Sequence, residues 1–402
     1  MRMGLLTWLH HLPGWKTSIP ARLAWIFLAG IGILAVFGPL IANEKPYYCK
    51  LEGKTYFPLF SNLTESRLST LHPAVSPVDW HTTSFDAVWR TPVTYSHTTI
   101  DLKTGTGVAP WGAQPVPSRQ RHWLGTDTIG RDVMAGMIRG CRVSLLIGLG
   151  SMLLALCIGV MLGSLAAYYG NRELKMSWLQ TVAIFIFFLV FVWVWYFPWS
   201  FWLRLAASLI LLGSGIFLSL QFEKYGHRRI PFPVDSLVTG GISIVDGFPA
   251  MFLILILIAL LPFKGWIVVM LVIALLRWPA MARYMRAEVL KMKETNYIKA
   301  AQLINLPSWK IIIAHIIPYA FRPVMISFIF GVATAILAES SLSFLGIGLP
   351  TEEINWGRLL AQSRNHFDAW WLVVFPGSAI FLTLLSLFTI GNVWEKNIAS
   401  SH

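Results

Sequence analysis

Eight long apolar runs constrain this chain more than any other feature of its sequence. Each run is long enough to cross the roughly 30 Å hydrocarbon core of a bilayer as a helix. The chain is 55% hydrophobic and only 13% charged, whereas soluble domains carry about 25% charged residues. The sequence therefore predicts an all-α integral membrane protein of about eight spans, at residues 23–42, 143–167, 178–197, 202–222, 242–261, 266–284, 324–342 and 371–391.

The basic residues indicate how these spans are oriented. The chain has 32 Lys and Arg against 19 Asp and Glu, an excess that could serve nucleic acid, anionic lipid or membrane topology. Because the basic residues cluster beside apolar runs, the positive-inside rule explains them better, and no nucleic-acid partner is expected. The basic segments fall in every second loop, and these loops lie on the same side of the membrane. Both termini are therefore predicted to be cytoplasmic. Membrane lipid is the expected surrounding of the spans.

The regions between the spans complete the predicted organisation. The first run follows "KTSIPAR" and is longer than the 7 to 15 residues of a cleaved signal core, so it is predicted to remain as a span. The loop after it is rich in Pro, Gly, Tyr and Trp, and predicts an extracytoplasmic subdomain with short strands. The predicted parts are an N-terminus (1–22), a first span (23–42), an extracytoplasmic loop (43–142), a membrane domain (143–392) containing an inserted hairpin (172–233) and a cytoplasmic loop (285–322), and a C-terminus (393–402).

Metal and disulfide chemistry have little support in the sequence. The three cysteines, Cys49, Cys141 and Cys157, are scattered without CxxC spacing. Neither a metal site nor a disulfide framework is therefore expected.

The stretch "NYIKAAQLINLPSWKIIIAHIIP", residues 296–318, predicts two short helices joined by a sharp turn. The small residues Ala300 and Ala301 allow a partner to approach the first helix closely. Asn305 stands where a helix ends in the left-handed conformation, which Gly usually takes and Asn tolerates. Ser308 is the predicted N-cap of the second helix, which Pro318 would end.

The residues alone leave two interpretations of this stretch open. Two short helices around a sharp turn suit docking to a partner better than they suit spanning. The alternative is an interfacial helix that lies on anionic lipid with lysines at the headgroups, namely Lys291, Lys293, Lys299 and Lys310.

Three motifs, in order along the chain, resemble those of one family. The string K-A-A-x3-N-x9-H-I-I-P, residues 299–318, is similar to the "EAA" loop of bacterial ABC importer permeases, commonly E-A-A-x3-G-x9-I-x-L-P. "HWLGTDTIGRDV", residues 122–133, resembles the H-P-L-G-T-D-x-x-G-R-D-V signature of the C-type permease in dipeptide, oligopeptide and nickel importers. "AILAESSLSFLGIGLP", residues 335–350, followed by "NWGRLL", resembles the segment that joins the fifth span of that family to its last outward loop.

The resemblance implies a type I ABC importer permease with a six-helix core, interrupted here by the insertion at 172–233. Such a chain provides half of a translocation pathway in the bacterial inner membrane, beside a second permease subunit. Two ABC ATPase subunits, or one fused pair, would bind ATP and Mg and drive it, and an extracytoplasmic substrate-binding protein would deliver the cargo. The first span and large outward loop are most similar to the subgroup that carries peptides and peptide-like antibiotics, which implies a peptide or peptide-like solute.

The resemblance also implies roles for individual residues of this chain. Lys299 replaces the Glu of the family's loop, and Asn305 replaces its Gly. Coupling to the ATPase is expected at Lys299, Ala300, Ala301, Asn305, His315 and Pro318. The outer-loop signature comprises Gly125, Thr126, Asp127, Gly130, Arg131 and Asp132.

Three charged residues fall within apolar runs, where an ionised group costs several kcal/mol unless it is paired or hydrated. Asp246 and Arg277 lie at similar depth if the spans around residues 262–265 are antiparallel, which predicts a salt bridge between them. Glu339 matches the acidic residue of the family's A-E-A-S-L-S-F-L-G motif. Two interpretations of Glu339 stay open: a role along the pathway or at a subunit interface, and a buried carboxylate hydrogen-bonded to Ser340 or Ser343.

Two other functional classes share the hydropathy pattern. An integral-membrane enzyme would gather acidic or His groups at one face, whereas His122, His315 and His366 are predicted far apart, and no catalytic residue is assigned. A secondary transporter built from inverted repeats would show an internal repeat, and none is visible. The chain also lacks the G-x-x-x-x-G-K-[ST] phosphate loop, so no cofactor is expected in it and ATP hydrolysis is assigned to separate subunits.

Overall fold

The computed structural model describes residues 18–399, apart from residues 52, 61–79, 81–82, 84, 102, 115, 118–119, 262–263 and 351 and most positions between 178 and 228. Its main helices are α1 (Ile19–Ile41), α2 (Val133–Tyr169), α3 (Val234–Asp246), α4 (Ala250–Leu260), α5 (Trp266–Lys293), α6 (Asn296–Leu303), α7 (Ser308–Phe344), α8 (Trp356–Gln362) and α9 (Trp371–Ala399).

Within the described residues, five helices are long and apolar enough to cross a membrane: α1, α2, α5, α7 and α9. A sixth is added if α3 and α4 are counted as one broken span. The predicted all-α membrane fold is therefore confirmed, and six of the predicted runs fall on these helices. The other two runs, 178–197 and 202–222, form the predicted hairpin and lie largely outside the described residues.

Helix α1 begins four residues before the apolar run that predicted it. The Ser18 side chain accepts a hydrogen bond from the Ala21 amide at 3.1 Å, and Pro20 occupies the first turn. A Ser N-cap followed by Pro is a favoured helix start, because Pro lacks an N–H that would otherwise be unpaired there.

The loop after α1 contains the short strands that its composition predicted. Strands β1 (Tyr48–Leu51), β2 (Lys54–Tyr56) and β3 (Ala87–Trp89) form an antiparallel sheet in the order β2-β1-β3. Gly53 takes φ +76° in the tight turn between β1 and β2, a conformation that Gly adopts without steric cost. Cys49 of β1 and Trp80 form a small buried cluster, against which Leu51, Tyr56 and Phe85 pack.

The two ends of the insertion pair with each other. Strand β4 (Lys175–Ser177) lies antiparallel to β5 (Arg229–Pro231), with Met176 opposite Ile230. Helix α3 follows after two residues.

The chain forms two compact units, Met1–Cys157 with Phe248–Met281 and Arg322–His402, and Ile158–Gly247 with Ala282–Phe321. In the first unit, α1 and α8 both pack on α9. A Cβ atom at Gly148 would overlap the Ile336 side chain, and one at Gly331 would overlap Met152. These glycines let α2 and α7 approach closely, as small residues do between membrane helices.

The second unit is held by ion pairs as well as by close packing. Arg286 donates two hydrogen bonds to the Asp235 carboxylate, at 2.6 and 2.8 Å. Lys293 donates to the Tyr168 carbonyl at 2.7 Å and to Glu173 at 2.6 Å. These contacts join α5 to α3 and to the end of α2.

Candidate functional site

Residues 296–318, here called the elbow, contain the sharp turn that the sequence predicted. Asn305 has φ +54° and is the single non-glycine with positive φ in the part of the chain that the structure describes. Its N–H donates to the Gln302 carbonyl at 3.0 Å, and the Leu306 N–H donates to the Ala301 carbonyl at 3.2 Å. This pair of hydrogen bonds around a left-handed residue is a Schellman motif, which satisfies the last carbonyls of α6.

The second arm of the elbow differs from its prediction in two respects. Ser308 is the first residue of α7 rather than its N-cap, because Pro307 holds the cap position and no side chain caps the helix. Pro318 does not end the helix, which continues to Phe344. Residues Ile311–Ile316 form a π-helical segment, in which the Ile317 N–H donates to the Ile312 carbonyl five residues back. This change in hydrogen-bond spacing directly precedes Pro318. Proline has no N–H for the helical hydrogen bond to the carbonyl four residues back, so it would otherwise interrupt a regular α-helix.

The elbow has a buried apolar face and an exposed apolar tip. Ile298 and Ile316 are 0% exposed. At the turn, Leu303 is 83% exposed, Ile304 is 71% exposed and Trp309 is 63% exposed. An interfacial helix would turn its main apolar face to lipid, whereas the main apolar face here is already covered by protein.

The other elbow residues singled out by the sequence differ in their exposure and contacts. Lys299 pairs with Glu294 at 3.1 Å, and both side chains are more than half exposed. Ala301 is buried and Ala300 is exposed. The Nδ1 atom of His315 lies 2.5 Å from the hydroxyl of Tyr297, a contact that links the two arms of the elbow.

The outer-loop signature forms a tight turn ahead of α2. Gly125 and Gly130 take φ +80° and +87°. Asp127 accepts hydrogen bonds from the Ile129 and Arg131 amides at 2.9 and 2.8 Å, and pairs with the Arg131 side chain at 2.8 Å. The turn is thus fixed around one buried carboxylate.

Two further signature residues attach this turn to its surroundings. Asp132 accepts from the Ala135 amide at 2.7 Å and so caps the start of α2. The Thr126 hydroxyl accepts from the Val108 amide at 2.8 Å, and its carbonyl accepts from the Trp371 ring at 3.0 Å. These contacts make the signature a structural junction of the first unit.

His122 connects this turn to the preceding loop. Its Nδ1 lies 2.7 Å from Asp132 and its Nε2 lies 3.3 Å from Asp101, and the ring stacks on Tyr95. Burial acts to raise the pKa of Asp101, but hydrogen bonds from Thr104, the Lys103 amide and His122 outweigh it and lower that pKa to about 2.

This low pKa predicts acid sensitivity of the loop. A carboxylate with a depressed folded pKa stabilises the fold above its unfolded value of about 3.9, and that stability is lost as the pH falls through the folded pKa. We therefore expect pepsin cleavage within residues 95–132 to accelerate between about pH 4 and pH 2. Asp101→Asn should flatten this dependence, while Asp86→Asn, at an exposed carboxylate of the same loop, should leave it unchanged. An identical pH profile for Asp101→Asn would contradict the assignment.

Glu339 is fully buried in the first unit and surrounded by donors. It accepts hydrogen bonds from Ser144 at 3.0 Å, Ser343 at 3.1 Å and Ser340 at 3.4 Å, and from the Asn355 amide. The hydrogen bonds predicted by one of the two sequence interpretations are therefore present. They fix α7 to α2 and to the cap of α8.

The predicted salt bridge between Asp246 and Arg277 is wrong. Asp246 pairs with Arg283 instead, and Arg277 has no ion pair among the residues that the structure describes. The predicted pair requires one continuous helix over residues 242–261. In the structure, α3 ends at Asp246 and α4 begins only at Ala250.

Sequence reasoning missed three residues of these sites: Asp101, Tyr297 and Asn355. Asn355 precedes the "WGRLL" helix and accepts from the Arg358 amide at 2.8 Å, so the N-cap preference for Asn was an available signal. Asp101 lies 21 residues from His122, and Tyr297 lies 18 residues from His315. No local pattern indicates either of these pairs.

Comparison with known proteins adds independent information. The family model described as "Binding-protein-dependent transport system inner membrane component" matches residues 213–400. The inner membrane ABC transporter permease protein YejE of Escherichia coli K12 is 28% identical over 371 residues, which are 90% of this chain and 88% of that protein. A putative peptide transport system permease protein of Brucella suis is 31% identical over 278 residues, 69% of this chain and 72% of that protein. The dipeptide transport system permease protein DppC of Alkalihalophilus pseudofirmus is 27% identical over 272 residues, 67% of this chain and 69% of that protein.

Proposed function

Because this chain belongs to the family of binding-protein-dependent transport system inner membrane components and is a permease subunit of an ABC importer, we propose that its elbow docks on a separate ATPase. The family is a membrane component of transporters and not an enzyme in its own right. The chain is accordingly a multi-pass inner-membrane protein.

The exposed apolar tip of the elbow carries this proposal. Leu303, Ile304 and Trp309 are each more than 60% exposed on both sides of the Asn305 turn. A contiguous group of large apolar side chains in contact with water is unfavourable unless a partner covers it. The basic residues beside the tip favour a cytoplasmic location by the positive-inside rule, and an ATPase has access to ATP on that side.

The local geometry suits the transmission of force. The Schellman motif and the contact between Tyr297 and His315 fix the first arm of the elbow against the second. The second arm is the beginning of α7, which runs without interruption from Ser308 to Phe344. A partner that moves the tip therefore moves a membrane helix and not a flexible loop.

The proposed assembly contains further subunits. A second permease completes the pathway, of which this chain provides half. Two ATPase subunits, or one fused pair, bind ATP and Mg, and an extracytoplasmic binding protein delivers the solute to the loop of residues 43–132. Both termini lie in the cytoplasm in this arrangement, as the distribution of basic residues indicates.

We assign peptides or peptide-like solutes as the substrate class. The support is the function for which the relatives are named, since they include peptide, dipeptide and oligopeptide transport system permeases. An integral-membrane enzyme and a self-sufficient secondary transporter were the alternatives, and the family assignment favours neither.

Charge reversal at Lys299 tests the docking proposal. Lys299 is half exposed beside the tip, so the cognate ATPase is expected to present acidic or neutral residues to it. Lys299→Glu should then weaken ATPase binding about tenfold, because like charges across an interface repel. Copurification of the ATPase with the permease from native membranes measures this effect.

Two comparisons make the result specific. Lys291→Glu causes the same change of net charge at an exposed position outside the elbow, and it should leave ATPase binding unchanged. A reversed charge on the ATPase should rescue Lys299→Glu. Equal ATPase recovery with the wild type and Lys299→Glu would count against docking at this surface.

A further inference from the structure

A small cavity lies at the junction of α1, α2 and the loop after β3. It has a volume of about 150 Å³. Pro39 and Ile138 contribute to an apolar wall, and His97, Arg139 and Arg142 contribute to a polar one. All of these residues belong to the first unit of the chain.

Both arginines that line this cavity keep hydrogen-bond donors that no described residue accepts from. Arg139 donates through Nη2 to both carboxylate oxygens of Glu353, at 3.1 and 2.9 Å. Its Nε is buried and has no hydrogen-bond partner among the described residues. Arg142 follows three positions later on the same face of α2, and its exposed side chain forms no ion pair within the described part of the chain.

The charge balance of the cavity is positive. Glu353 compensates Arg139, whereas no carboxylate among the described residues pairs with Arg142. Burial lowers the pKa of His97, and the charge of Arg139 lowers it further, so at neutral pH His97 is an uncharged hydrogen-bonding group. Guanidinium groups donate and never accept, so the chemistry of this wall suits an anion with several acceptor oxygens.

The position and size of the cavity identify the kind of anion. Pro39 lies in the last turn of α1, so the cavity is at the end of a span, on the side of the membrane that carries the loop of residues 43–132. Its volume is well below the roughly 300–1,000 Å³ of pockets for drug-sized ligands, which is too small for a peptide. Next to it, Ile33, Val36 and Phe37 expose an apolar surface along α1, along which acyl chains can lie.

We propose that this cavity binds the phosphate group of an anionic phospholipid, with the guanidinium groups of Arg142 and Arg139 donating to the phosphate oxygens. Arg and phosphate form strong charge-assisted hydrogen bonds. The apolar wall and the adjacent apolar surface of α1 favour a lipid over a free phosphate ion.

Native mass spectrometry of the full chain, purified with the subunits that accompany it, tests this assignment. The detergent-solubilised protein is titrated with phosphatidylglycerol, with phosphatidylcholine and with inorganic phosphate. Wild-type protein should retain phosphatidylglycerol in preference to phosphatidylcholine. Arg142→Ala should weaken phosphatidylglycerol binding about tenfold, the usual effect of removing a charged hydrogen-bond donor, and Arg142→Lys should restore part of it.

Lys103→Ala is the matched control, because it removes an exposed positive charge from the same loop region without lining the cavity. It should leave phosphatidylglycerol binding unchanged. Equal phosphatidylglycerol binding by the wild type and Arg142→Ala would overturn the site. Displacement of the lipid by inorganic phosphate at equal concentration would show a free-phosphate site and overturn the lipid assignment. The readout is lipid binding, so neither result depends on ATPase docking at the elbow.

Discussion

Asn305→Val is expected to uncouple ATP hydrolysis from transport. Asn305 sits at φ +54°, where a left-handed conformation costs an ordinary L-residue about 1–2 kcal/mol and is a severe outlier for a β-branched one. Relief of that strain breaks the Schellman hydrogen bonds of Asn305 and Leu306 and changes the direction of α7. Since 1.4 kcal/mol is a factor of ten in population, we expect at least about a tenfold loss of substrate-stimulated ATPase activity in reconstituted vesicles.

Asn305→Gly provides the control at the same position. Gly adopts positive φ without steric cost, so this variant should keep near wild-type coupling. Uncoupling by Asn305→Val with normal membrane insertion would locate the defect in the geometry of the turn. Full coupling in both Asn305→Val and Lys299→Glu would leave the elbow as a helix on the lipid surface, which is the alternative that the lysines suggested.

Glu339→Ala is expected to be the most destabilising substitution in the first unit. It removes the shared acceptor of Ser144, Ser340, Ser343 and Asn355 at a position with 0% exposure. Buried donors left without an acceptor cost about 1–3 kcal/mol each, although Ser hydroxyls can turn to helix carbonyls. We expect a net loss of about 3–5 kcal/mol, seen as a lower thermal midpoint and a lower yield of the purified complex.

The comparison with Glu339→Gln separates structure from transport. The amide keeps the shape and one acceptor oxygen, so its stability should lie between those of the wild type and Glu339→Ala. A Glu339→Ala protein with wild-type stability and abolished transport would instead assign Glu339 to the pathway.

The features that the sequence predicted depend on local patterns. The hydropathy of about 20 consecutive residues predicts a span regardless of which other segments pack against it. The turn at Asn305 was predictable because both of its hydrogen bonds end within five residues along the chain. The start of α2 at Val133 was not predicted from hydropathy, since residues 133–142 include Arg139 and Arg142 and lower the apolar average.

The wrong predictions concern one pair of distant residues and two local features, the N-cap at Ser308 and the helix end at Pro318. The estimate of depth predicts an ion pair between Asp246 and Arg277. The helix breaks at residues 247–249, however, and Asp246 pairs with Arg283. Pro318 predicts a helix end because proline usually breaks a helix. A π-helical segment directly before it accommodates the proline instead. The buried contacts of Glu339 with Ser144 and Asn355 join residues that no sequence window contains together.

The β4–β5 ribbon joins the two ends of the insertion. Its two strands hold the two ends of the insertion at the spacing of one strand pair, roughly 4.8 Å. The entropy of closing a loop rises only slowly with its length. A two-residue hairpin turn bridges the same gap, so we expect that segments of different length can be joined at this ribbon while β4 and β5 stay paired.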